Sequence, residues 1–193
     1  AIAGLKDEGN YRYFADLQRQ VGAFPRATCQ TEAGPREVTI WCSNDYLGMG
    51  QNPDVIAAMR EALERYGAGA GGTRNISGTS HAHVLLEREL ADLHGKEAAL
   101  VLTSGFVANE ATLSTAARLL PGCVILSDAK NHASMIAGLR NSRCEKQIFR
   151  HNNVEHLEEL LRAPEYQGRL RIGSFSAASN VTGIRSNVRE ITS

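Results

Sequence analysis

The chain has 193 residues, the length of one ordinary domain or two small ones. Hydrophobic residues make up 42% and charged residues 22%, which is typical of a folded protein and argues against an intrinsically disordered one. The 21 lysines and arginines balance 21 aspartates and glutamates, so the composition gives no support to a strongly basic nucleic-acid-binding or polybasic membrane-surface protein.

No apolar run reaches the roughly 18 residues of a membrane span, and the first ten residues have no secretory pattern. We therefore expect neither a membrane nor a nucleic-acid partner. The four cysteines form no Cys-x-x-Cys pair, and no metal-ligand spacing recurs, so we expect reduced thiols in a cytosol-like compartment and no metal site. These cysteines are Cys29, Cys42, Cys123 and Cys144.

The first elements in the chain follow from breakers and periodicity. Residues 1–36 are polar with scattered aromatics and end in Gly34-Pro35, which predicts a helical arm followed by a turn. The β-branched and aromatic run 38–42 predicts a short strand. A helix is expected after Asn52-Pro53, because apolar residues recur at helical spacing behind a plausible N-cap. A second helix is expected at about 81–94.

From residue 98 onward the pattern alternates between strand and helix. Such alternation predicts crossover units and a parallel sheet covered by helices on both faces, an α/β fold. Ligands bind outside the carboxyl ends of the strands in these sheets. Three of the expected ends are rich in small polar residues: 103–105, 127–128 and 176–180. The expected strands are 98–103, 123–127, 147–150 and 170–175. The expected helices are 105–120, 132–140, 154–161 and one from about 187.

The glycine-rich stretch 67–72 formally satisfies G-x-G-x-x-G. A dinucleotide-binding fingerprint follows a strand and opens a helix, whereas this stretch follows a predicted amphipathic helix. No Gly-Lys-Ser/Thr follows it, so it is no P-loop either. A flexible loop explains the glycines but not the Thr-Arg-Asn at 73–75, whose donors lie where backbone can approach a ligand closely.

Two strand ends carry candidate chemistry. Ser104 and Gly105 join a strand to a helix, and this turn suits either a phosphate at the helix N-terminus or a plain capped start. Asn131 and His132 follow the next strand end. A single histidine is more often structural than catalytic, although an imidazole at this edge could stack on an aromatic cofactor or transfer a proton. We expect His81 and His83 to cap or pack the helix that they begin.

Four motifs together carry a resemblance: W-C-S-N-D-Y-L-G-M (41–49), G-G-T-R-N-I-S-G-T (71–79), L-H-G-K-E-A-A-L (93–100) and N-H-A-S-M-I (131–136). They resemble the 5-aminolevulinate synthases of the α-oxoamine synthase family, over about residues 9–162. The resemblance implies a three-layer large domain of the aspartate aminotransferase-like fold type I, incomplete here, and the cofactor pyridoxal 5'-phosphate (PLP). It also implies condensation of glycine with succinyl-CoA to 5-aminolevulinate, CoA and CO₂ in tetrapyrrole biosynthesis.

The resemblance also assigns roles to individual positions. Residues 104–106 would hold the cofactor phosphate and His132 would stack on its ring. Asn44 would bind the glycine carboxylate, and Ser127 and Lys146 would contact the acyl-CoA. Three further residues would bind the succinyl carboxylate, a task suited to a guanidinium group. They are Arg12, Thr73 and Asn75. Phe106 is a mild departure, because the family often has tyrosine there. In this family the site lies between two subunits, which implies a homodimer.

The segment after Arg162 departs further from the family. Residues 169–184 resemble the class V aminotransferase and cysteine desulfurase group, which has the same fold. There Asn180 would lie beside the cofactor ring hydroxyl, and Ser179 falls where the synthase also has a cofactor-contacting serine. We therefore divide the chain into an arm and first strand (1–45) and the front part of the large domain (46–193), with a recombined-looking segment at about 164–193.

The lysine that would bind the cofactor, and the acid that would pair with its ring nitrogen, are implied to follow residue 193. None of the four lysines fits the first role: Lys6, Lys96, Lys130 and Lys146. We expect the chain alone to be inactive, as a portion of a longer acyltransferase. The alternatives are a non-catalytic truncated or chimeric module that self-associates, another α-oxoamine synthase, or a class V enzyme. The expected location is a bacterial cytoplasm, or the mitochondrial matrix in a eukaryote.

Overall fold

The structure, a computed structural model, describes residues 2–192. The chain divides into two compact units, Ala1–Thr79 and Ser80–Ser193. This division falls later in the chain than the family-based boundary at residue 45. The division into compact units does not test a boundary that rests on the family resemblance, so the boundary at residue 45 stays a prediction. Within residues 2–192, no helix has both the length and the apolar composition needed to cross a membrane.

The first unit opens with one short helix and a three-stranded antiparallel sheet of order β1-β2-β3. The expected helical arm over 1–36 is therefore wrong beyond residue 7. The alternating buried side chains of Ala27 and Cys29 suit a strand, and a tight turn closed by Gly34 N–H on Thr31 O at 2.9 Å joins the second and third strands. The elements are α1 (Ile2–Asp7), β1 (Asp16–Arg19), β2 (Arg26–Gln30) and β3 (Arg36–Thr39).

Helix α2 (Pro53–Tyr66) follows the predicted start and end. Asn52 Oδ1 accepts the backbone N–H groups of Asp54 and Val55 at 2.8 and 3.3 Å, so the predicted N-cap is confirmed. The glycine-rich stretch that ends the helix forms no regular element, and a single π-helical turn, Arg74–Gly78, follows it.

The second unit contains a parallel sheet of order β5-β4-β6 with helices on both faces. Val124 and Leu126 pack with Leu157 of α6 on one face, while Ile125 packs with Leu139 of α5 on the other. This layering confirms the expected α/β class. The elements are α3 (His81–Leu93), α4 (Gly105–Leu119), β4 (Val124–Asp128), α5 (Ala133–Ser142), β5 (Glu145–Phe149), α6 (Val154–Arg162), β6 (Arg171–Ser174) and α7 (Val188–Thr192).

One predicted strand of this unit is wrong. Residues 98–103 form no strand, since a strand needs a neighbour for its hydrogen-bond ladder and, among residues 2–192, this sheet contains only β4, β5 and β6. The backbone N–H of Val101 donates to Glu87 Oε1 of α3 at 2.7 Å. An apolar run alone therefore did not determine the element.

Candidate functional site

Helices α4 and α5 both begin with a side-chain cap. Ser104 Oγ accepts the N–H of Val107 at 3.2 Å, and His132 Nδ1 accepts the N–H of Ser134 at 3.2 Å. The cap that the sequence allowed for Ser104 is therefore present. A cap satisfies one of the four N–H groups that a helix start leaves without intrahelical partners, so first-turn donors remain for an anion, favoured by the helix dipole.

The two helices approach closely at Gly138 of α5. A Cβ atom there would lie 2.8 Å from Leu113 Cβ and 3.0 Å from the carbonyl oxygen of Glu110, both on α4. Near their N-termini, the rings of Phe106 and His132 have centroids 6.4 Å apart and meet edge to face at 75°. The packing therefore brings the two capped starts side by side.

A buried hydroxyl orients the His132 ring. Ser134 is fully buried, its Oγ lies 2.7 Å from His132 Nδ1, and Asn109 Nδ2 donates to the same Oγ at 3.0 Å. The backbone N–H of Ser134 donates to Nδ1, so Nδ1 is an acceptor. The Ser134 O–H therefore also donates to it, and the proton of the neutral imidazole lies on Nε2. His132 itself is exposed, so Ser134 fixes the orientation of its ring while the ring stays accessible to a ligand.

Asp128, at the carboxyl end of β4, binds the turn after β5. Its carboxylate accepts the backbone N–H groups of Lys130 and Asn152 at 2.7 and 3.0 Å and lies 2.8 Å from His151 Nδ1. Burial raises the pKa of Asp128, but these hydrogen bonds outweigh burial and the pKa falls below its ordinary value. The carboxylate therefore holds two loops at the edge where α5 starts.

Asn131 contributes the most buried amide of this edge. Its Nδ2 donates to Ser127 Oγ at 2.9 Å and to the Ser174 carbonyl oxygen at 2.8 Å, which ties the ends of β4 and β6 together. Its Oδ1 is buried and has no hydrogen-bond partner among the described residues. Sequence reasoning gave no role to Asn131 or Asp128; their signal was a polar side chain directly after a buried strand.

The other predicted site residues of the second unit differ in burial and hydrogen bonding. Ser127 is 1% exposed, so its hydroxyl faces the interior, whereas Lys146 is exposed on β5. Ser179 Oγ accepts two backbone N–H groups of the turn after β6, at 3.2 and 3.1 Å, and Asn180 is exposed in that turn.

Four predicted substrate residues belong to the first unit. Thr73 Oγ1 donates to Asn75 Oδ1 at 2.8 Å, so these two lie together at the π-helical turn. Arg12 and Asn44 are exposed in loops of the same unit. The structure thus gathers the predicted cofactor residues Ser104, Gly105, Phe106 and His132. Among the predicted substrate residues, Thr73 and Asn75 are in direct contact.

Comparison with known proteins agrees with this architecture. The aminotransferase class I and II family matches residues 36–192. The 5-aminolevulinate synthase of Rhizobium meliloti is 57% identical over 189 residues, 98% of this chain and 46% of that protein. That of Rhodobacter capsulatus is 53% identical over 192 residues, 99% of this chain and 47% of that protein. The chain thus spans about half the length of these relatives.

Both alignments extend through the segment after residue 164, so this segment aligns with the same relatives as the rest; its recombined origin stays a prediction. A mitochondrial 5-aminolevulinate synthase of Gallus gallus is 57% identical over 159 residues, 81% of this chain and 25% of that protein. Among solved structures, the serine palmitoyltransferase of Sphingomonas wittichii superposes with a TM-score of 0.84 at 30% identity, covering 98% of this chain and 45% of that one.

Proposed function

Because the chain belongs to the aminotransferase class I and II family, we propose that it is part of a PLP enzyme that condenses glycine with succinyl-CoA to 5-aminolevulinate, CoA and CO₂. The observation that carries the proposal is the pair of capped helix starts, which places phosphate-type donors beside an oriented imidazole. The names of relatives that are 53% to 57% identical support the particular reaction.

The residues at the two helix starts fit PLP. The first turn of α4 offers N–H groups to a phosphate at Gly105 and Phe106, both exposed. His132 presents an exposed aromatic face at the neighbouring start, where a pyridine ring could stack. When bound, PLP supplies the electron sink that stabilises a carbanion at the carbon next to the amino group of glycine. Ser179 and Asn180 are the further cofactor contacts in this proposal.

The substrate residues have simpler tasks. The Arg12 guanidinium would bind the succinyl carboxylate with two parallel hydrogen bonds, beside Thr73 and Asn75. Asn44 would orient the carboxylate of glycine. Lys146 is exposed and can meet an acyl-CoA phosphate, whereas the buried Ser127 hydroxyl already accepts a hydrogen bond from Asn131.

The proposal includes a homodimer, supported by large apolar side chains of the first unit that are almost fully exposed, such as Phe14 at 101% and Trp41 at 93%. The cellular location follows the relatives, which are bacterial proteins and a mitochondrial one, so we propose a bacterial cytoplasm or a mitochondrial matrix.

The test is a hybrid enzyme in which this chain replaces the matching half of the Rhizobium meliloti relative. We expect 5-aminolevulinate from glycine and succinyl-CoA, and little product from acetyl-CoA or palmitoyl-CoA. Arg12→Ala should remove the preference for succinyl-CoA, whereas Arg60→Ala, at an exposed arginine of α2, should retain it. A folded hybrid that prefers palmitoyl-CoA would favour another α-oxoamine synthase activity, and one that binds no PLP would refute the proposal.

A further inference from the structure

We propose that Cys123 and Cys144 form a redox-responsive dithiol, which closes into a disulfide between the amino-terminal ends of β4 and β5 when a peroxide oxidises it. Neither cysteine is within the candidate PLP site, and the inference is independent of the proposed function. It rests on the strand register, on a shared hydrogen-bond acceptor and on the burial of the two thiols.

The strand register places the two cysteines beside each other. Val124 pairs with Glu145 in the parallel ladder, so the residues just before them are also neighbours. Adjacent strands lie about 4.8 Å apart, within the range of about 4.4 to 6.8 Å that a disulfide needs between Cα atoms. Both side chains pack on the same face, in the cluster that contains Ile125.

Both thiols converge on one acceptor. Cys123 Sγ and Cys144 Sγ each lie 3.3 Å from the carbonyl oxygen of Ala117, near the end of α4. Because the two sulfur atoms share one acceptor oxygen and the backbone spacing already suits a disulfide, side-chain rotation can bring them to bonding distance.

The two thiols differ in burial and therefore have different roles in the oxidation. Cys123 is 3% exposed, whereas Cys144 is only partly buried, so a small oxidant reaches Cys144 first. Burial raises the pKa of Cys123 and keeps that thiol protonated until the second step. Cys144 is therefore the attacking cysteine and Cys123 the resolving one.

The chemistry balances with a peroxide as the oxidant. The Cys144 thiol loses its proton, and its sulfur attacks one oxygen of hydrogen peroxide. The O–O bond breaks, and the other oxygen leaves as hydroxide, which takes up the released proton to become water. Cys144 is then a sulfenic acid. Cys123 then loses its proton as its sulfur attacks the Cys144 sulfur, the S–O bond breaks, and a second water leaves. Two thiols lose two electrons and the peroxide gains them.

The disulfide would enclose residues 124–143, a loop that contains β4, α5 and the oriented His132. Its closure acts at the amino-terminal end of β4, while the candidate site lies at the carboxyl end. The crosslink therefore leaves Ser104 and His132 free to bind a ligand.

The experiment is oxidation of the purified native protein with hydrogen peroxide, followed by alkylation, trypsin digestion and mass spectrometry. Cleavage after Arg118, Lys130, Arg143 and Lys146 leaves the cysteines in separate peptides, 119–130 and 144–146. We expect these peptides as one linked species, about 2 Da lighter than their sum, that dithiothreitol separates.

Variants make the assignment specific. Cys144→Ser should abolish the linked species and leave Cys123 as an alkylatable thiol, whereas Cys42→Ser, at an exposed cysteine, should leave the species unchanged. The proposal is overturned if native oxidation takes Cys144 to the sulfinic acid without any linked species. It is also overturned if Cys144 links to Cys42 instead.

Discussion

Replacing Gly138 by alanine tests the close approach of α4 and α5. The added Cβ would lie 2.8 Å from Leu113 Cβ and 3.0 and 3.2 Å from the carbonyl oxygens of Glu110 and Asn109. Carbon atoms in contact are normally about 3.5 to 4.0 Å apart, so the helices must separate by roughly 1 Å. The neighbours are a Cβ and two backbone oxygens, which cannot rotate away.

The magnitude follows from two opposing effects. Overpacking a core of this kind costs about 1 to 3 kcal/mol, and three simultaneous contacts favour the upper half of that range. Alanine in place of glycine in a helix raises the free energy of unfolding by about 1 kcal/mol. We therefore expect Gly138→Ala to lower the free energy of unfolding by about 1 to 2 kcal/mol.

The assay is urea unfolding followed by circular dichroism, with Gly105→Ala as the matched control. A Cβ at Gly105, in α4, would meet no atom within 4 Å, so that variant should be neutral or slightly more stable. Gly138→Ala should also bind PLP more weakly, since the separation of α4 and α5 moves the two helix starts. A Gly138→Ala midpoint equal to or above that of the unmodified protein would refute the close approach.

Three further predictions concern single side chains. Because folding lowers the pKa of Asp128, its ionised carboxylate stabilises the folded state. This contribution is complete above the ordinary carboxyl pKa of 3.8 and is lost as pH falls through the lowered pKa of the folded state. Asp128→Asn should therefore flatten the pH dependence of the urea midpoint below about pH 5, where this contribution is lost; an unchanged slope there would contradict the carboxylate's role. Gly78→Ala places a Cβ 1.9 Å from the Gly72 carbonyl oxygen, so it should break the π-helical turn and raise the KM for succinyl-CoA roughly tenfold, as measured in the hybrid enzyme. Ser134→Ala should lower the free energy of unfolding by about 1 to 3 kcal/mol in urea titrations and release the His132 tautomer, which nitrogen NMR of the ring detects.

Local chemistry in the sequence was sufficient for most helices. Asn52-Pro53 and the glycines after Tyr66 specify both ends of α2 within a few residues, because caps and breakers act over one turn. Ser104 could be named as a candidate helix cap for the same reason, beside the alternative of a phosphate-binding turn. His132, which the sequence left open between structural and functional roles, has a structural role as a cap and is still exposed to a ligand.

Long-range pairing was the part that the sequence could not supply. The run 98–103 has the composition of a buried strand, yet a strand exists only where a neighbour completes its ladder. Conversely, the polar segment 16–30 lacks an apolar strand pattern and still forms β1 and β2, since each pairs with the other across a turn. Contacts such as Asn109 with Ser134 join residues 25 positions apart and leave no local periodicity.

The site depends on β4 more than on the residues that would touch a ligand. All five residues of β4 are buried between β5 and β6, so the strand has little freedom to shift. Its carboxyl end places Asp128 and Asn131, which hold the neighbouring turns and lead directly into α5. Gly138 then sets how near α5 comes to α4. A substitution that preserves Ser104 and His132 but disturbs this support should therefore weaken ligand binding as much as one at the helix starts.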